Sequence, residues 1–188
     1  MRVIAGTYRS RPLTAPPGLS TRPTSDRLRE TLFNVLAPRI QGSSFLDLYA
    51  GSGAMGIEAL SRGAACITFV ERAAPAVKIL RANLDRLAIS NGFRIHSGSV
   101  ATFLRRPRAG AAEFDIAFLD PPYDAATEYA TILSLLGGQA SAFLASGAIV
   151  IAEHRKKEKL DTCYGALQRT RLLEQGDAAL SFFAATPA

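Results

Sequence analysis

Ser44-Phe-Leu-Asp-Leu-Tyr-Ala-Gly-Ser-Gly-Ala-Met-Gly56 is the stretch that decides how this chain is read. Its first half is a short apolar run of strand length, interrupted by the single carboxylate Asp47. Its second half, Gly51-Ser-Gly-Ala-Met-Gly56, has G-x-G-x-x-G spacing and opens into an apolar helical segment over residues 57–62. Glycines at such a turn admit positive φ and let the backbone approach a ligand closely. Strand, glycine turn and helix in that order predict one half of a nucleotide-type binding unit.

Working outward, strand and helix signals alternate. Cys66-Ile-Thr-Phe-Val70 is the next strand and residues 74–87 form a long amphipathic helix. Phe93-Arg-Ile-His96 is a third strand, with a short helix at 100–105. Phe114-Asp-Ile-Ala-Phe-Leu119 is a fourth, with a helix at about 127–136, and Ala148-Ile-Val-Ile-Ala152 is a fifth. Regular alternation predicts an α/β fold, a parallel sheet with helices on both faces. Residues 167–174 and 178–184, joined at Gln175-Gly-Asp177, carry hairpin chemistry and add antiparallel pairing at one edge. Before the sheet, residues 2–6 and 11–15 read as a small hairpin around Thr7-Tyr-Arg-Ser10, broken by Pro16-Pro-Gly18. Thr24 or Ser25 then caps a helix that runs to about Ala37. Leu28, Leu32, Val35 and Leu36 form its apolar stripe, and Pro38 with Gly42 ends it. The chain therefore divides into an N-terminal hairpin and helix (1–42) and the sheet domain (43–188).

Composition excludes several classes. With 188 residues, 48% hydrophobic and 20% charged, the chain is neither disordered nor a coiled coil. No apolar run approaches the ~20 residues of a membrane helix, and the N-terminus lacks a secretion signal. Cys66 and Cys163 are far apart, which predicts reduced thiols and a cytoplasmic protein. Two Cys with His96 and His154 in no ligand spacing predict no metal site. A monomer is the default expectation.

Charge is unevenly placed. Arg2, Arg9, Arg11, Arg22, Arg27, Arg29 and Arg39 face only Asp26 and Glu30 among the first 40 residues, so five of the six net positive charges lie there. Guanidinium forks suit phosphate oxygens, so a nucleic-acid partner is expected over a merely solvated Arg-rich face. Arg155-Lys-Lys-Glu-Lys159 is diluted by acids and reads as a solvated loop. Arg27 and Glu30 are candidates for a buried ion pair pinning the first helix.

The cofactor end is read from carboxylates. Glu71 ends the second strand, 20 positions after Gly51, where a carboxylate can take both ribose hydroxyls. Asp47 lies inside the first strand. It repels a pyrophosphate but suits a cationic amino-acid group, which favours S-adenosyl-L-methionine over NAD. Ser99, after the third strand, can meet an adenine amine. At the fourth strand's exit stands Asp120-Pro-Pro-Tyr123. The prolines cannot continue a ladder and stiffen the exit. The Asp120 side chain and the Pro121 carbonyl then make two acceptors for a planar exocyclic NH2, with Tyr123 as a stacking face. Two such hydrogen bonds raise electron density at the nitrogen and aim its lone pair at a methyl donor.

Thr21-Arg-Pro-Thr-Ser-Asp-Arg-Leu-Arg-Glu-Thr-Leu-Phe-Asn34, Asp47-Leu-Tyr-Ala-Gly-Ser-Gly-Ala-Met-Gly-Ile-Glu-Ala-Leu-Ser-Arg62 and Leu119-Asp-Pro-Pro-Tyr123 together resemble the RsmD family. Its members are bacterial 16S ribosomal RNA guanine-N2 methyltransferases, and the resemblance runs from about Val3 to Ala185. It implies a Rossmann-like, seven-stranded class I methyltransferase sheet, S-adenosyl-L-methionine as donor, and a guanine of the small ribosomal subunit as acceptor. Carried onto this chain, it implies a cofactor set of Asp47, Ala50, Gly51, Ser52, Gly53, Gly56, Glu71, Ser99 and Val100. Asp120, Pro121, Pro122 and Tyr123 would form the catalytic segment, and Arg9, Arg11, Arg22 and Arg27 the RNA contacts. Arg9-Ser-Arg-Pro12 and Ser99 depart from the family pattern, where a Gly and an acid or amide are usual. Competing readings are an adenine- or cytosine-N DNA methyltransferase, an NAD oxidoreductase, and a noncatalytic RNA-binding assembly module.

Overall fold

A computed structural model describes residues 1–15, 25–106, 114–122 and 126–185. Five parallel strands come first: β1 (Ser44–Leu48), β2 (Cys66–Glu71), β3 (Phe93–Ser97), β4 (Phe114–Leu119) and β5 (Leu144–Arg155). The terminal antiparallel part is β6 (Cys163–Tyr164), β7 (Leu167–Gln175) and β8 (Ala178–Ala185). They form one sheet in the order β3-β2-β1-β4-β5-β8-β7-β6. Helices α1 (Asp26–Ile40), α2 (Ala54–Ser61), α3 (Ala74–Arg86), α4 (Val100–Leu104) and α5 (Ala126–Leu136) cover it. The α/β class, the parallel strands and the antiparallel C-terminal hairpin are as the sequence predicts. No described helix is long and apolar enough to cross a membrane.

Side chains alternate across each strand and build two cores. Phe45, Ile116 and Phe118 face α1, α2 and α3, meeting Phe33, Ile57 and Leu80. Leu46, Leu48, Ala117 and Leu119 face α4 and α5, meeting Leu104, Leu133 and Leu136. Glycines let α2 lie close. A Cβ on Gly56 would stand 2.3 Å from the Phe69 ring, and one on Gly53, which has φ +82°, would stand 2.1 Å from Leu80.

Several local expectations are corrected. Helix α1 passes through Pro38 and stops at Ile40, because Ile40 is buried and holds the last turn in place. Strand β5 is 12 residues, more than twice the predicted core segment, since β4 pairs with it from Leu144 and β8 as far as Arg155. The sheet has eight strands rather than seven, the eighth being the two-residue β6. The N-terminal hairpin, by contrast, is present: Arg2 bridges Pro12, the Val3 N–H donates to the Arg11 carbonyl at 3.0 Å, the Ser10 N–H to the Val3 carbonyl at 2.9 Å, and the Leu13 N–H to the Met1 carbonyl at 3.0 Å. Pro16-Pro-Gly18 and the alternative cap Thr24 lie outside the described residues. Ser25 caps α1, accepting the Leu28 N–H at 3.1 Å.

Contacts with the sheet domain's helices and core also hold the N-terminal arm. Val3 and Leu13 enter the same core as Phe33 and Phe45. The Ile4 and Ala5 N–H groups donate to the Glu58 carboxylate on α2 at 2.7 and 3.0 Å. Thr7 N–H reaches the Ser61 carbonyl at 2.8 Å, and Thr14 is clasped by Asn83 of α3. Glu58 is fully buried and also binds Arg62 at 2.7 Å. Arg27 and Glu30 are both exposed, so the expected buried pair is not there. The buried guanidinium is instead Arg29, one helical turn after Asp26 and 3.9 Å from Glu58.

Removing one partner of such a buried network leaves the others without compensation. Glu58→Ala is expected to cost about 3–5 kcal/mol in chemical denaturation. A loss within ~0.5 kcal/mol of wild type, the range of ordinary surface changes, would show that Glu58 is not the anchor.

Candidate active site

A cavity of about 480 Å³ opens where β1, β2 and β4 end. That volume is in the range of small-molecule sites. Its wall takes Asp47 and Tyr49 through Ser52 from the end of β1, Glu71 from β2, Ser99 and Val100 from the start of α4, and Asp120 with Pro122 from the exit of β4. β1 pairs in parallel with β4, Asp47 against Phe118 and Leu48 against Leu119, so the glycine turn and the Asp-Pro-Pro segment are neighbours.

The cofactor-side residues are already engaged. Asp47 is 1% exposed, and its Oδ2 accepts the Gly56 N–H at 2.9 Å. Burial pushes its carboxyl up to about 7; the Gly56 hydrogen bond opposes that and the nearby Glu71 charge adds to it. Glu71 accepts the Gly51 N–H at 2.9 Å and the Ala73 N–H at 2.7 Å, which fixes it at the cavity wall. Gly53 and Gly56 lie behind that wall: they serve α2 packing, and Gly56 orients Asp47. Ser99 caps α4. It accepts the Thr102 N–H at 3.1 Å and donates to the Thr102 hydroxyl at 2.7 Å, so its remaining capacity is as an acceptor.

At the opposite wall Asp120 is half-buried, Pro121 buried and Pro122 exposed. Burial, then the negative charges of Glu153 and Asp47, hold the Asp120 carboxyl well above the usual range. Tyr123 and Arg22 lie outside the described residues. Arg9, Arg11 and Arg27 are exposed. Arg11 touches the Arg86 carbonyl at 3.4 Å, and the arm that carries Arg9 and Arg11 contributes Met1 and Ala15 to the cavity wall.

Among the lining residues that sequence reasoning missed, three stand out by their polar contacts. Tyr49, with a left-handed φ of +64°, donates its hydroxyl to the Glu128 carboxylate of α5. Burial and that carboxylate push the Tyr49 hydroxyl pKa up. Tyr49 sits inside the quoted glycine motif, but nothing in the pattern pairs it with Glu128. Arg29, the third, is hidden in the Arg-rich segment. Among the described residues no group of three or more His, Cys, Asp and Glu is placed to hold a metal ion.

Comparison with known proteins follows the same outline. The family model described as Conserved hypothetical protein 95 matches residues 1–184. The Bacillus subtilis (strain 168) protein YlbH is 36% identical over 171 residues, 91% of each chain. Ribosomal RNA small subunit methyltransferase D of Escherichia coli (strain K12) is 38% identical over 162 residues, 86% of this chain and 78% of that one. The solved structure of the Escherichia coli protein yhhF superposes with a TM-score of 0.85 at 32% identity, covering 98% of this chain and 97% of that one.

The Asp47 shift carries a pH signature. The folded chain keeps this proton to about pH 7, whereas the unfolded chain releases it near 4. Between those values the folded state binds more protons, so stability falls as pH rises and levels off above the window. Denaturation between pH 5 and 8 should show a loss approaching about 1.4 kcal/mol per pH unit in the wild type, reduced in Asp47→Asn. Identical slopes in the two proteins would contradict the assignment to Asp47.

Proposed function

Because the chain belongs to the Conserved hypothetical protein 95 (RsmD) family, we propose that it transfers a methyl group from S-adenosylmethionine to the exocyclic N2 of a guanine in small-subunit ribosomal RNA. The observation that carries this reading is the shared cavity: Asp47 and Glu71 on one wall, Asp120 on the other, brought together by β1–β4 pairing. The donor set suits a cationic, adenosine-bearing group. Asp47 is a carboxylate whose pKa is raised by burial and by the Glu71 charge, a cost that a bound cation offsets. Glu71 is held by two backbone N–H groups with lone pairs to spare for ribose hydroxyls.

S-adenosylmethionine, when bound, supplies an electrophilic methyl on a sulfonium sulfur. The chain supplies orientation and charge. Asp120 and the Pro121 carbonyl accept the two N–H groups of the guanine amine and direct its lone pair at the methyl. A cation beside Asp120 draws the carboxyl down to its charged form, in which it accepts hydrogen bonds. From there it can also take the proton that the methylated amine releases. Tyr123 offers the stacking face. Arg9, Arg11, Arg22 and Arg27, in the extension formed by residues 1–42, contact RNA phosphates while the guanine leaves its stack, at a cost of roughly a few kcal/mol. A reducing cytoplasm suits the free Cys66 and Cys163.

The decisive assay incubates the protein with methyl-tritiated S-adenosylmethionine and small ribosomal subunits or their RNA, then digests to nucleosides. Label is expected in N2-methylguanosine; label in a methylated adenosine or cytidine, or only in DNA, overturns the proposal. Asp120→Ala is expected to lower transfer by about a thousandfold, the scale of a lost electrostatic contact to the reacting group, with cofactor affinity retained. An active Asp120→Ala protein would refute the role given to Asp120. Arg9→Ala combined with Arg11→Ala should weaken RNA binding and flatten its log–log salt slope by roughly 1.5. An unchanged slope would remove these two residues from the RNA contact.

A further inference from the structure

We propose that Arg29 is the anion-binding residue of the cavity and holds the α-carboxylate of the methyl donor, an inference that rests on the methyltransferase reading. Arg29 is fully buried and belongs to the cavity wall together with Asp47. Its satisfied contacts are confined to one nitrogen: Nη2 donates to the Arg2 carbonyl at 2.5 Å and to Asp26 at 3.0 Å. Among the described residues, Nε and Nη1 have no hydrogen-bond partner. Glu58, 3.9 Å from Nε, is already engaged by two backbone N–H groups and Arg62. Asp26 is half-exposed, so its charge is screened.

A buried guanidinium with idle donors is costly unless something accepts from them. Burial lowers the Arg29 pKa despite Glu58 and Asp26, the mark of a cation short of compensation. A carboxylate is the fitting complement, since two oxygens match the planar fork of N–H groups. The zwitterionic end of S-adenosylmethionine then divides cleanly, ammonium to Asp47 and carboxylate to Arg29. Without Arg29 that carboxylate would enter a wall carrying Asp47, Glu71, Asp120 and Glu128, with the exposed Arg72 as the only further side-chain cation among the described residues.

Calorimetric titration with S-adenosylmethionine and with its decarboxylated form tests this. The two share the adenosine, sulfonium and amine and differ in the carboxylate. In an acidic cavity, bulk charge alone favours the decarboxylated form. The wild type is nevertheless expected to prefer S-adenosylmethionine by about tenfold or more, and Arg29→Gln to reduce that preference to within about threefold. Equal wild-type affinities, or an undiminished preference in Arg29→Gln, overturn the inference while leaving the methyltransferase reading intact. Should Arg29→Gln fail to fold, Arg29→Lys keeps the charge but not the fork. A narrowed preference there supports the proposal and an unchanged one overturns it. Wild-type protein that binds neither compound overturns the methyl-donor reading, and this inference with it.

Discussion

Parallel pairing of β1 with β2 on one side and β4 on the other is the constraint from which the site follows. The chain moves outward from β1 to β2 and β3, then crosses back to lay β4 against β1. Connections on either side of that reversal leave a crevice above the strand ends. Register does the rest. Asp47 is opposite Phe118, so Asp120, two residues on, emerges beside the turn that follows β1. Phe118, on the same side of its strand, lines the crevice floor. A slip of one residue in β4 would turn Phe118 into the α5 layer and withdraw Asp120 from the cavity.

Charge is separated between inside and outside. The protein carries a net +6, yet the cavity wall concentrates carboxylates: Asp47, Glu71, Asp120 and Glu128. Burial raises the pKa of both Asp47 and Asp120; the Glu71 charge adds to the first, and those of Glu153 and then Asp47 to the second. A bound cation relieves both at once. For the proposed reaction this has a direction. The sulfonium loses its charge on giving up the methyl, so the wall stabilises the donor more than the spent product. The exposed Arg9, Arg11 and Arg27 face solvent and do not neutralise the interior. A polyanion can therefore be attracted without displacing the cavity's own preference for positive charge.

What the sequence disclosed, and what it hid, divides along physical lines. The strands from β1 to β4 were legible because buried parallel strands are short apolar runs bounded by glycine or polar residues. Asp47, Glu71 and Asp120 were legible because each is a charge at the end of, or inside, such a run. The length of β5 was not, because its extension depends on partners distant in sequence, β4 from Leu144 and β8 as far as Arg155. Two-residue β6 carries no periodicity at all. Glu58 looks like an ordinary helical glutamate. Its importance comes from the arm's backbone N–H groups, more than fifty residues earlier, which have no signature in a pattern of side chains. Arg29 was obscured by its neighbours. In a run holding Arg27, Arg29 and Glu30, helical phase selects the one that turns inward, and Arg29 follows the buried Leu28. Nor does apolar periodicity register a buried arginine, which counts as a polar interruption of the stripe.

Glu58 also explains why the basic arm is part of the enzyme's architecture and not a tether. A flexible arginine tail attracts nucleic acid but must be ordered on binding, which weakens the complex. Here the order is already present. Val3 and Leu13 are in the core, Glu58 fixes two consecutive N–H groups, and Gly6 lies so close to α2 that a Cβ would stand 1.7 Å from the Ser61 carbonyl oxygen. Arg29 joins the same assembly by donating to the Arg2 carbonyl while lining the cavity. The arm that carries the exposed Arg9 and Arg11 and the pocket's proposed anion-binding residue therefore share one buried carboxylate–guanidinium network. Loosening that network should disturb the arm and Arg29 together, because Glu58 touches both.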